Sequence, residues 1–424
     1  MRPVRVLRLL LGAVPLLASL AFAPGAVQAR AAEPGDRQQS VTAPAAPGPG
    51  AEKKQGTSKP VCSPKPGRAA CSSLIRTDLP AVRNLAPGTL PEGLGPRDIR
   101  SAYQLPFGAG RGRTVALVTA FHYPTAEADL ATYRSTYGLP PCTTANGCFD
   151  QVFATGNQPP VDAGWALEAA IDIDAVSAAC PACNIVLVEA ASDTIGDLLT
   201  AVQVARTRFD DNTPQAKYIS MSWGDGENNI QPVIDPVYFD FPGVAFVGSS
   251  GNTGGVTNWP AISQYVTGVG GTRLNQPFPI PGPQQNRPGG WYETAWSGSG
   301  CGFSAFQPKP PWQGAFCNCR TNADVSAVAD PLTGIAIYTT TPPPVGPSGW
   351  LIAGGTSVAA PLVASMFALA GTPGPNDRPA SYPYANPRAF WDIDRGTAGA
   401  FSAGLGYDLP SGLGSPRGVR GFRR

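Results

Sequence analysis

The chain reads as an α/β protein of three layers, a mostly parallel central sheet covered by helices on both faces. Three observations predict this. Apolar runs of strand length, such as Val115-Ala116-Leu117-Val118-Thr119 and Ile185-Val186-Leu187-Val188, alternate with longer helical segments. The runs are apolar throughout, as in strands buried on both faces. Gly (50) and Pro (47) are abundant and only 14% of residues are charged, against roughly 25% in an average globular protein. That composition favours long ordered loops over helical bundles.

At 424 residues the chain has material for an ample core, and its net charge of +2 offers no field for nucleic acid or an anionic membrane. Arg2, Arg5 and Arg8 precede an apolar stretch, 9–22, too short to span a bilayer; Val27-Gln28-Ala29 then offers small residues for cleavage. Residues 1–29 therefore read as a secretory signal, and the expected product is a secreted, extracellular chain, monomeric and free of the membrane. Export makes the nine cysteines candidates for disulfides. Close spacing pairs Cys62 with Cys71, Cys142 with Cys148 and Cys180 with Cys183; Cys301 then chooses between Cys317 and Cys319, which leaves one thiol over.

Residues 30–75, dominated at first by Ala, Pro, Gly and Lys, read as a low-complexity pro-region or tether without fixed structure. The folded domain is expected over 76–424. Helices are predicted at 97–103, at 125–137 with its early acids, at 163–179 and at 195–206. Strands are predicted at 115–119, 184–189, 218–222, 244–247, 266–269 and 350–353. In such a sheet, active residues belong at the carboxyl ends of the strands.

The last of these strands runs into Gly354-Gly355-Thr356-Ser357-Val358-Ala359-Ala360-Pro361, and an Ala-rich helical segment follows to 370. A serine at a strand-to-helix break meets the positive end of the helix dipole and unpaired backbone N–H groups. Those are the surroundings an acyl-transfer nucleophile needs. The competing reading of the octapeptide alone is a capped Gly-Gly turn, so companions elsewhere must decide. In the predicted helix 163–179, Glu168 and Asp172 stand four apart and share a face, and Trp165, Leu167, Ile171 and Ile173 make most of that helix apolar. His122 is the chain's one histidine. It lies in the loop after the first sheet strand, with no acid at that strand's end. The Asp-His-Ser order of a histidine-based triad is therefore excluded, as is a lipase-like hydrolase with a late histidine.

These motifs, in this order, resemble the sedolisins, the serine-carboxyl peptidases with a subtilisin-like fold. The similarity runs from about 98 to 418. It includes Ile99-Arg100-Ser101-Ala102-Tyr103-Gln104-Leu105-Pro106, the run from Thr114 through Tyr123-Pro124-Thr125-Ala126-Glu127-Ala128-Asp129-Leu130, and Glu168-x-x-x-Asp172. It continues in Ser222-Trp223-Gly224, the Gly-Thr-Ser-x-x-x-Pro element around Ser357, and a late Gly-x-Gly-x-Asp. The resemblance implies an endopeptidase acting on polypeptides through an acyl-enzyme on Ser357, with Glu168 as general base, Asp172 hydrogen-bonded to Glu168, and Ser222 and Gly224 lining the substrate cleft. The chemistry is consistent: a carboxylate with a pKa of about 4.3 stays ionised in acid where imidazole is protonated, so acidic to mildly acidic working conditions are expected. The resemblance also implies one structural calcium ion, held by the Asp392 and Asp408 side chains and the carbonyls of Ile393, Gly404 and Gly406, a hard-oxygen set.

Two departures stand out. Sedolisins carry an aspartic acid where this chain has Asn252; an amide donates a hydrogen bond at every pH, so Asn252 is expected to serve the oxyanion. Sedolisins also carry a large folded prodomain, and here only a short, low-complexity stretch precedes the core. Both departures favour the alternative reading, a catalytically inactive binding or structural protein on the same fold.

Overall fold

The computed structural model describes residues 56–86, 88–207, 216–276, 282–284, 286–314 and 317–424. The expected signal, 1–29, and the stretch 30–55 lie outside the described residues. Before the main domain come β1 (Ser58–Pro60), β2 (Ala70–Cys71) and β3 (Leu74–Arg76), then α1 (Pro96–Ala102). The core follows as β4 (Thr114–Ala120), α2 (Ala126–Thr136), β5 (Phe149–Phe153), α3 (Ala163–Ala179), β6 (Asn184–Ala190), α4 (Ile195–Thr207), β7 (Tyr218–Met221), β8 (Trp223–Gly224), α5 (Gln231–Tyr238), β9 (Ala245–Ser249) and β10 (Val266–Asn275). Then come β11 (Tyr292–Ala295), the hairpin β12 (Gly302–Pro308) and β13 (Cys319–Asn322), β14 (Val325–Val328), β15 (Ile335–Thr339), β16 (Gly349–Gly354) and α6 (Thr356–Ala370).

The central sheet has eight strands in the order β11-β10-β9-β7-β4-β6-β5, with β14 also paired to β10. Every pairing in it is parallel except β10 with β11. β4 is buried at all seven positions, which its unbroken apolar run dictates: a central parallel strand has no wet face. On one face α3 and α6 pack against each other and against the sheet; on the other, α4 covers β4 and β6 and packs on α5. The predicted three-layer class is the observed one. No helix among the described residues is long and apolar enough to cross a membrane.

Three sequence expectations change. β16 does not join the central sheet: it pairs antiparallel with β15, as the middle of a four-stranded sheet β1-β3-β16-β15. Its Gly-flanked apolar run is equally compatible with a hairpin and a parallel strand, and only the long-range partner decides. Next, residues 56–75 are not structureless: three strands and the Cys62–Cys71 disulfide lie in this stretch. Low-complexity composition stops short of them, and pairing with distant strands supplies the order that their own propensity lacks. Finally, the first three expected disulfides are present, but the fourth joins Cys317 to Cys319, and Cys301 is the free thiol. Cys301 is fully buried, its Sγ near the Ala398 carbonyl, so it packs as a small apolar side chain.

Candidate active site

Helix α3 begins at Asp162, whose carboxylate accepts the N–H groups of Gly164 and Trp165 at 2.9 and 3.0 Å; this is an N-cap that fixes the helix register. Packed on α6 and the sheet, the helix has sixteen of its seventeen residues buried, and Glu168 and Asp172 are among them with no exposed surface. Neither oxygen of Glu168 has a hydrogen-bond partner. Burial pushes its carboxyl well above the ordinary range, and the nearby hydroxyls of Ser357 and Ser73 pull it part of the way back. Asp172 is pushed up by burial and then by the charge of Glu168, against the hydroxyl of Ser222.

The expected hydrogen bond from Asp172 to Glu168 is absent. Asp172 Oδ1 lies 2.7 Å from Ser222 Oγ instead. Ser222 Oγ is also 3.3 Å from the Ser357 carbonyl. That carbonyl is free of the usual helical bond because Pro361, four residues on, has no N–H. Asp172 is thereby linked to the backbone of the serine through one hydroxyl.

Ser357 sits in the first turn of α6, after Gly355 at φ +94°. Its hydroxyl donates to the Ser222 carbonyl at 2.9 Å, not to Glu168. Its backbone N–H donates to the carbonyl of Ser72 at 3.0 Å. Asn252 Oδ1 accepts the Thr356 N–H at 2.9 Å; this fixes the amide's orientation and turns Nδ2 the other way. A Cβ on Gly355 would lie 2.2 Å from the Ser72 carbonyl oxygen and 2.9 Å from Asn252 Nδ2. The Ser72 carbonyl thus accepts the serine N–H, and both it and the asparagine Nδ2 lie close to Gly355.

That carbonyl belongs to a peptide lying along the cleft. β2 pairs antiparallel with β8, Ala70 opposite Gly224 and Cys71 opposite Trp223. The Ser72 N–H donates to the Ser222 carbonyl at 3.1 Å. Beyond Ser73 the chain pairs with the strand that leads to Ser357, Leu74 opposite Gly354 and Ile75 opposite Ala353. Ser222 and Gly224, expected to line the cleft, both touch this peptide. Gly224 has no room for a side chain: a Cβ there would meet Asn258 Nδ2 at 2.0 Å. Beside the peptide lies a cavity of about 390 Å³ whose lining includes Gly224, Ser250, Gly251, Asn252 and Asn258. The occupied cleft was not foreseen; the return of apolar residues at Leu74-Ile75, three residues after Cys71, was the signal available.

His122 takes no part in this cluster. Its Nδ1 is 2.8 Å from Glu189 Oε2, in a buried group with Gln151 and the Tyr123 N–H. Asp174 also stands apart, accepting the Tyr338 N–H of β15 at 2.9 Å.

Near the C-terminus, Asp408 accepts the Gly404 N–H at 2.9 Å and the N–H and hydroxyl of Ser411; both oxygens of Asp392 lie 3.1 Å from the Gly406 N–H. Burial raises both carboxyls, Asp408 to about 6, and the charge of Asp392 adds to the rise at Asp408. Two carboxylates that repel each other beside Gly-rich turns fit a hard cation, which would relieve the repulsion. Among the described residues no cluster of three or more His, Cys, Asp or Glu is suited to a metal, so any such site would depend on backbone carbonyls.

The subtilase family model matches residues 152–385. Kumamolisin of Bacillus sp. (strain MN-32) is 30% identical over 370 residues, covering 78% of this chain. Sedolisin of Pseudomonas sp. (strain 101) is 30% identical over 181 residues, 37% of this chain and 28% of that protein. The chain spans 63% of the length of kumamolisin. A solved structure of Pseudomonas sedolisin, described as a serine-carboxyl proteinase complexed with two molecules of pseudo-iodotyrostatin, shares the fold with a TM-score of 0.60 at 22% identity, covering 78% of this chain and 96% of that one.

Proposed function

Because the chain belongs to the sedolisin branch of the subtilase family, we propose that it is a secreted serine-carboxyl endopeptidase that hydrolyses polypeptides through an acyl-enzyme on Ser357. The observation that carries this reading is the peptide in the cleft, whose Ser72 carbonyl accepts the Ser357 N–H, with the Asn252 Nδ2 also close to Gly355. In this reading those two donors receive the oxyanion. Glu168 takes the proton from the Ser357 hydroxyl and returns it to the leaving amine, while Ser222 and Gly224 hold the substrate strand. Asp172, through Ser222, positions the serine backbone and biases the proton affinity of Glu168. The Ser357 hydroxyl must turn from the Ser222 carbonyl to Glu168 for reaction, a short rotation about one bond.

Acidic to mildly acidic conditions suit a carboxylate base. Burial beneath the resident peptide holds Glu168 protonated to higher pH than an open cleft would, and opening restores water and ionisation. Asp392 and Asp408, with the carbonyls of Ile393, Gly404 and Gly406, would hold one calcium ion that ties two loops together. The deciding experiment is hydrolysis of casein or a synthetic peptide from acidic to neutral pH by the wild type and Ser357→Ala. Cleavage that disappears with the serine is the expected result; no serine-dependent cleavage at any pH would leave a binding protein on this fold.

A further inference from the structure

Away from the catalytic cluster lies a second cavity, of about 480 Å³, walled by Trp312, Gln313, Tyr384, Pro387, Tyr407 and Leu413. Three segments meet there: the connection between β12 and β13, the stretch that begins with the helical turn Tyr382–Ala385, and the loop after Gly406. β14 separates this place from the cleft. Asp324, just before that strand, lies behind the cavity and accepts the Tyr384 hydroxyl. Ala329, just after it, accepts the Gly355 N–H two residues before Ser357. A strand of four residues sets the two ends roughly 13 Å apart or more.

The aromatic walls are held from behind. The Tyr384 hydroxyl, bonded to Asp324, also accepts a Gln313 side-chain N–H at 3.0 Å. The Tyr407 hydroxyl donates to the Ala323 carbonyl at 2.8 Å and lies 2.8 Å from Thr321 Oγ1. Gln313 donates to the Thr321 carbonyl and accepts the Thr321 N–H, both at 2.8 Å. Underneath is the ion pair of Arg320 and Asp324, each side chain 1% exposed. The two tyrosine rings stand 6.3 Å apart at a tilt of 33°. Trp312, Tyr384, Tyr407 and Leu413 are all half-buried, so each keeps accessible surface on the cavity. Rings fixed in advance lose little freedom when a ligand stacks on them, which is the advantage of a preorganised site.

What the walls offer decides what they can take. None of the six side chains is charged, and Asp324 behind them is paired with Arg320, so nothing is left to hold an ion. Both tyrosine hydroxyls and the Gln313 amide are committed to the protein, which leaves no polar set for the many hydroxyls of a sugar. What remains is aromatic faces and the Trp312 indole N–H, which donates to no described residue. A proline-rich strand matches both. Its rings stack on aromatic faces, its tertiary amides carry no N–H in need of an acceptor, and its carbonyls can take the indole proton. Polypeptides are also what a peptidase family takes. We propose that this cavity is a docking site for proline-rich polypeptide. Its use rests on the peptidase reading above: a substrate held here by a segment that is not cut has a raised effective concentration at the cleft.

The test uses the full chain carrying Ser357→Ala, so that nothing is cut, and fluorescently labelled decaproline as the probe. A Gly-Ser peptide of equal length and an N-acetylglucosamine oligomer are the controls. Saturable decaproline binding, weakened roughly tenfold or more by Trp312→Ala, is the expected result, with neither control bound. Pro387→Ala, at an exposed position, should weaken binding by a smaller factor; it carries the test if Trp312→Ala does not fold. Decaproline that fails to bind, or binds both variants as well as their parent, overturns the site, and so does the sugar bound in its place. With Ser357 restored, a cleavable peptide extended by decaproline should show a lower KM than the same peptide without it, at equal kcat, and Trp312→Ala should erase the difference. Hydrolysis of the two peptides with equal KM overturns the role in substrate capture and leaves the peptidase reading standing. Decaproline binding without Ser357-dependent hydrolysis of either peptide overturns the peptidase reading and leaves the docking site.

Discussion

Two groups of buried carboxylates are handled in opposite ways by this fold. Glu293 accepts the Tyr103 hydroxyl at 2.7 Å and the Thr272 hydroxyl at 2.6 Å, and it pairs with Arg287 at 2.7 Å with neither partner exposed. Asp324 is held by Arg320, the Tyr384 hydroxyl and the Gly268 N–H. Glu168 and Asp172 are just as inaccessible, yet three of their four carboxylate oxygens have no partner. The first group spends its charge on joining loops and strands. The second keeps its proton affinity adjustable, the property a general base requires. Burial alone therefore does not separate the two groups; the lack of a cation and of any partner on three of the four oxygens does.

The strongest way to break this contrast is to remove the second group's chemistry. Ser357→Ala and Glu168→Gln should each lower peptide hydrolysis by roughly 10⁴-fold or more while the melting temperature stays at or above that of the wild type. A Glu168→Gln protein that kept its activity but melted early would put Glu168 with the structural carboxylates. The complementary change, Glu293→Gln, should leave Arg287 buried without its counter-charge and cost about 3–5 kcal/mol in denaturant unfolding, with kcat per folded molecule unaltered. Asn252→Ala should raise the barrier by roughly 2.7–4 kcal/mol, read as a fall in kcat at every pH, because an amide donor does not titrate.

The contrast also has a pH signature. Glu168 and Asp172 bind protons more tightly folded than unfolded. Their contribution to stability is thus complete below the ordinary carboxylate range of about 4 and is lost as pH rises toward their raised folded values. Thermal melts should show stability declining over that interval in the wild type and declining less in Glu168→Gln. The smallest effect concerns Asp392 and Asp408. Chelation should lower the melting temperature by a few degrees at neutral pH and by less at pH 5, since Asp408, raised to about 6, is then protonated and calcium must compete with the proton. Equal shifts at both pH values would remove Asp408 from the ligand set.

Much of this was legible without coordinates. The helix 163–179 is predicted and observed with the same ends; its apolar surroundings and the i,i+4 spacing of Glu168 and Asp172 are local properties, and local periodicity survives folding unchanged. The lone histidine excluded a histidine-based mechanism by counting. Three disulfides followed from short spacing, since cysteines separated by three to nine residues meet almost wherever the chain runs.

Tertiary structure alone decided the rest. A two-residue strand such as Ala70–Cys71 has no periodicity to read; it exists only because Trp223 and Gly224, 152 and 154 residues away in the chain, present a free edge. Asp172 bonds to Ser222 because the fold brings that hydroxyl, fifty residues on in the chain, to within 2.7 Å of its carboxyl. Cys301 stays reduced because packing buries it away from the bonded pair, Cys317 and Cys319. Sequence determines what each segment can do; which segments meet is set by long-range packing, and in this protein that packing lays the segment around Ser72 across Ser357.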